Sequence, residues 1–135
     1  MAASTPKIDT VYNSSNIKEI DGRDVRFGVV ETVEELILDA NLSQTDAVYS
    51  VEIISIESPQ EMLNIAGTQW LKKNYIVKVA IIQDGKYFYG EGKRKTTLFA
   101  MFLDVEGGEV PLNRKAFSKA LESALKKSVA ELAKS

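Results

Sequence analysis

Carboxylates, lysines, hydroxyls and backbone amides are the groups this 135-residue chain has for chemistry, because it holds no cysteine and no histidine. Thiol nucleophiles, disulfides, Cys/His zinc sites, haem ligation by Cys or His and any Ser-His-Asp triad are thereby excluded. Glu31 and Glu35 fall on one face of a predicted helix, with Glu34 turned elsewhere. General acid–base work needs one carboxyl raised in pKa by an apolar pocket; a solvated helix face is the simpler role. Asp104 and Glu106, beside Gly107-Gly108, supply oxygen ligands of the kind a hard cation takes. Their spacing matches no known loop, so they read as a polar turn. Gly90-Glu91-Gly92-Lys93 resembles the start of a phosphate loop but lacks the G-K-[ST] ending; its glycines read as a bulge that bends a strand. No catalytic, metal-binding or cofactor-binding residue is assigned, and no enzymatic activity is expected.

The sharpest charge cluster is Lys93, Arg94 and Lys95, just after Tyr87-Phe88-Tyr89. Cations beside exposed aromatics hold single-stranded nucleic acid through phosphate contacts and base stacking. These three are the candidate nucleic-acid-binding residues. Strand alternation puts Tyr87 and Tyr89 on one face and Phe88 on the other. In the plainer role the cluster is a charged strand end that discourages edge pairing.

These groups must be carried by elements legible in the pattern. Residues 1–22 read as a polar, partly extended N-terminal arm with a short strand candidate, Ile8 to Tyr12. Val29/Val30, Val33, Leu36/Ile37 and Ala40 recur at helical spacing. Asp24 is the expected N-cap of that helix, and Asn41 follows its last periodic residue. Val48 to Glu57 is β-branched and stops before Ser58-Pro59, which predicts a strand. Gln60 to Gly67 fits one helical turn or a strand extension. From Trp70 to Ile82 the odd positions are apolar. Asp84-Gly85 between two apolar runs is the signature of a type I′ hairpin, which joins Tyr75–Ile82 to Lys86–Glu91. Thr96 to Val105 is apolar on both faces and fits a strand or a short helix. Phe117, Ala120/Leu121, Ala124/Leu125, Val129 and Leu132 form the stripe of a closing helix of about twenty residues. The predicted fold is α+β: one domain over 1–135, with an antiparallel sheet of three to four strands against two helices, in the order β-α-β-β-β-α.

A hydrophobic fraction of 44% and a charged fraction of 27% suit a globular core. The net charge of -2 hides an asymmetry. Met1–Thr68 holds four basic and twelve acidic residues, Gln69–Ser135 thirteen and seven. That split fits a nucleic-acid surface, head-to-tail packing of copies, or two halves intermixed in one domain. No run approaches the roughly 18 apolar residues of a membrane span. MAASTPKID has no apolar leader core, which places the protein in the cytoplasm or a virion, or in the periplasm as a trimmed mature form.

Two resemblances follow. Asp84-Gly85-Lys86, Tyr87, Tyr89, Gly90 and Glu91, followed by Ala120, Leu121, Ala124 and Leu125, resemble the strand pair and closing helix of YajG-type periplasmic lipoproteins. More distantly they resemble domains of the curli-secretion-channel group. The chain lacks those families' lipidation cysteine. The resemblance implies a non-enzymatic envelope or assembly domain that works as an oligomer. The segment VKVAIIQDGKYFYGEGKRKTT is also similar to the last hairpin of double-stranded RNA-binding domains, which implies Lys93, Arg94 and Lys95 at a helix N-terminus facing phosphates. The bulky LFAMFL stands where that family has small alanines. The sequence therefore predicts a structural or assembly module, envelope-associated or in a virion, that self-associates or joins a larger complex. Nucleic-acid binding is the alternative.

Overall fold

Sixteen residues that alternate apolar and polar side chains, Thr68–Gln83, form the spine of the protein (β6). A computed structural model describes residues 6–42, 47–99 and 113–135. Around β6 stand β1 (Lys7–Asn13), β4 (Val48–Glu57), β5 (Gln60–Ile65) and β7 (Lys86–Phe99). A separate two-residue hairpin, β2 (Glu19–Ile20) with β3 (Arg23–Asp24), leads into α1 (Val29–Asp39), and α2 (Arg114–Lys134) closes the chain.

The predicted antiparallel sheet of three to four strands is corrected by this topology. The sheet has five strands and is mixed, since β1 pairs parallel to β4. Parallel neighbours need a crossover of a dozen or more residues, and the stretch containing α1 supplies it. The short candidate Ile8 to Tyr12 is thus not a detached arm element but an edge strand, with Val11 opposite Val51. The ambiguous Gln60–Gly67 segment is β5 and its turn. β7 runs along one edge of β6 from Trp70 to Gln83, so β4 and β5 share the other, opposite Ile76–Ile82 and Thr68–Lys73. Ser58-Pro59 divides them because proline has no N–H for the ladder; Pro59 instead accepts from Asn74 N–H at 2.9 Å. The Asp84-Gly85 turn forms where expected, with both residues at positive φ (52° and 75°).

One sheet face is covered by the helices. Val51, Ile53 and Ile56 of β4 and Tyr75, Val77, Val79 and Ile81 of β6 meet Val29, Val33 and Ile37 of α1 and the predicted stripe of α2 in one core. Each fully buried Val, Ile or Leu contributes about 2 kcal/mol, so the α2 stripe is the main clamp on the hairpin. Helix α1 begins later than expected. Its N-cap is Gly28, while the Asp24 carboxylate accepts instead from the Arg26 amide at 2.8 Å and from its guanidinium. Such local side-chain bonds compete with helix caps. They also hold Asp24 at about pKa 2, below its usual 3.8.

Candidate functional site

The two glycines of β7 decide where α2 can sit. A Cβ on Gly92 would overlap the carbonyl oxygen of Ala120 and lie 2.5 Å from Ala124 N. One on Gly90 would overlap the Ala124 carbonyl and lie 2.6 Å from Ser128 N. The predicted bulge is absent: β6 and β7 pair residue for residue from Trp70↔Phe99 to Gln83↔Lys86. Glycine serves close helix approach here, opposite the small residues Ala120, Ala124 and Ser128. Ser128 is fully buried; its hydroxyl donates to Phe88 C=O and accepts from Ile81 N–H at 3.1 Å. At the other end of α2, the buried Tyr75 hydroxyl accepts from Asn113 N–H at 2.6 Å. Asn113 Oδ1 in turn accepts from Ala116 N–H at 3.0 Å, which caps the helix.

This docking brings the far end of β7 against the first turns of α2. Arg94, Lys95, Thr96, Asn113, Lys115, Ala116 and Lys119 line a cleft of about 250 Å³. Its four cations are exposed, and none makes an ion pair with a described residue. The predicted triplet is therefore divided. Lys93 points to the opposite sheet face and pairs with Glu91 at 3.3 Å; Arg94 faces the α2 N-terminus, and Lys95, which alternation puts on the face of Lys93, borders the cleft at the strand edge. They stand across from that helix rather than in it, because Thr96–Phe99 continues β7. Lys115 and Lys119 were not singled out in the sequence. Their i,i+4 spacing, which puts both on one helix face, was the available signal.

Among the described residues, no element covers the sheet face away from the helices. It carries Tyr12, Val48, Tyr87 and Tyr89, all exposed, beside half-buried Ile76 and Ile82. Tyr87 and Tyr89 stack with ring centroids 6.1 Å apart. Tyr12, Ser14, Ser50, Glu52, Ile82 and Tyr87 enclose a shallow groove of about 370 Å³, in which Ser14 Oγ donates to Glu52 at 2.7 Å. Three lysines on this face are paired: Lys72 with Glu61, and both Lys78 and Lys93 with Glu91.

The carboxylates weighed for acid–base work stay apart from both places. Glu31 and Glu35 are exposed on α1, and Asp104 and Glu106 lie outside the described residues. Among the described residues no group of three or more acidic side chains is gathered to hold a metal ion, and no helix is long and apolar enough to cross a membrane. The charge asymmetry falls on different elements. Helix α1 carries Glu31, Glu34, Glu35 and Asp39 without a cation, whereas β7 and α2 together carry ten cations and three carboxylates.

No known protein family matches the chain, and no curated protein matches it in sequence. Among solved structures it is similar to a minor lipoprotein from Acinetobacter baumannii, with 7% identity and a TM-score of 0.46 over 98% of this chain and 91% of that one.

Proposed function

We propose that this chain is a non-catalytic assembly module that joins a second copy of itself through the uncovered sheet face. The observation that carries the reading is the row of exposed Tyr12, Val48, Tyr87 and Tyr89 on that face. Tyrosine supplies large contact area with few rotatable bonds and recurs at interface centres. A two-fold interface sets the same patch against itself, residue i meeting j and j meeting i, so a face of one charge sign would repel itself. Here Lys72, Lys78 and Lys93 are already matched by Glu61 and Glu91, Glu52 adds a charge of the other sign, and the charge surpluses of α1 and α2 lie elsewhere. In this reading the protein is a structural component of a larger assembly, in an envelope or a virion.

Multi-angle light scattering tests it. The expected result is twice the 14.9 kDa chain mass at micromolar concentration, retained at about 1 M salt, where charge attractions are screened within about 3 Å. Tyr87→Ser with Tyr89→Ser weakens the dimer about tenfold or more. A strict monomer at low salt overturns the proposal. Association that disappears on adding salt points instead to head-to-tail contact between the acidic and basic halves.

A further inference from the structure

We infer that the basic corner between β7 and α2 is a binding site for phosphate groups. Elsewhere on this surface Lys72, Lys78, Lys93, Lys126 and Lys134 each lie within 4.0 Å of a glutamate. Arg94 from β7 and Lys115 and Lys119 from α2 converge on one cleft, Lys95 borders it, and no described carboxylate meets them. Three features make the concentration of positive charge sharper. Lys115 and Lys119 are a like-charged i,i+4 pair, which works against the helix. The first turn of α2 holds Arg114 and Lys115 and no acidic residue, the reverse of what the helix dipole favours. The Asn113 cap occupies the Ala116 amide, which leaves the Arg114 and Lys115 N–H groups beyond the reach of any helical carbonyl. Local rules broken together in one concave place mark function more often than accident.

The chemistry selects the ligand. Four cations around about 250 Å³ suit a compact anion of charge two or more. Arg94 offers a planar fork for two phosphate oxygens, the lysines add point charges, and Thr96 adds a hydroxyl. The tyrosine groove on the other face presents Glu52 and no cation, so it repels the same ligand. This inference is independent of self-association.

Titration of the full chain with inorganic pyrophosphate at about 50 mM salt, followed by amide NMR shifts, is the test. Saturable shifts at Arg94–Thr96 and Ala116–Lys119 are expected, with affinity that falls as salt rises. Arg94→Gln with Lys119→Gln weakens binding about tenfold or more. Lys126→Gln with Lys127→Gln removes the same charge from the far end of α2 and leaves affinity within about threefold. Equal losses in the two double variants show a net-charge effect and overturn the proposal. Absence of saturable binding also overturns it. Parallel titrations with a 5′-phosphorylated dinucleotide and with a short-chain phosphatidic acid separate the sources of the group; the tighter of the two through the same residues names the source.

Discussion

The two ends of β7 treat charge in opposite ways. Toward the Asp84-Gly85 turn, the open face pairs Lys78 and Lys93 with Glu91, and bare surface is given to tyrosine. At the other end, Arg94 and Lys95 meet Lys115 and Lys119 with no described acid among them. Exposed ion pairs stabilise by about 0–1 kcal/mol, so stability alone does not require pairing at either end. The difference concerns what each surface accepts from outside. In the proposed reading the aromatic face suits a copy of itself, while the unmatched positive cleft suits an anion. Both depend on one mechanical feature, the seating of α2 against Gly90 and Gly92.

The largest expected effect removes that shared feature. Gly92→Ala puts a methyl group into the Ala120 carbonyl, and backbone cannot step aside as a flexible side chain can. We expect a loss of about 3 kcal/mol, the upper range for overpacking, read from the urea midpoint, with phosphate binding and dimerisation weakened together. Gly85→Ala serves as a contrast. Nothing lies within 4 Å of its added Cβ, and only its positive φ costs, about 1–2 kcal/mol. If the two variants lose equal stability, the helix–strand interlock is not what holds the regions in place.

A smaller change separates the regions. Asn113→Ala removes the cap of α2 and costs about 1 kcal/mol by thermal unfolding. The first helical turn then holds Lys115 less firmly, so phosphate affinity falls while the light-scattering mass is unchanged. Loss of the dimer in this variant would show that the two ends are coupled.

How much of this was readable in advance differs by type of signal. The Asp84-Gly85 hairpin and the α2 stripe were legible because turn chemistry and a 3.6-residue period are local properties. The parallel pairing of β1 with β4 was not, since Ile8–Tyr12 is short and its partner lies some forty residues away. Gly90 and Gly92 were noticed but given the wrong cause. A bulge and a close helix approach both demand glycine, and only the small Ala120, Ala124 and Ser128 stacked above them separate the two. Lys93, Arg94 and Lys95 look like one cluster along the chain, yet alternation of a strand sends Lys93 to the other face. The corner was half visible, because its remaining cations come from an element twenty residues further on.

The smallest effect is a pH dependence confined to the hairpin end. Tyr49 is buried under the sheet there, and its pKa is raised above 10, first by burial and then by the negative charge of Asp84. Burial favours the neutral phenol, so this residue's contribution is complete below the unfolded pKa, about 10. It is lost as pH rises through the higher folded value. Its hydroxyl makes only a long contact to Leu42 C=O, at 3.4 Å. Tyr49→Phe is therefore expected to change stability little at neutral pH and to flatten the decline in melting temperature above about pH 10. Parallel alkaline declines in the two proteins would place the titrating group elsewhere. Asp84→Asn separates the two causes: it removes the charge, keeps Tyr49 buried, and restores only the minor part of the alkaline stability.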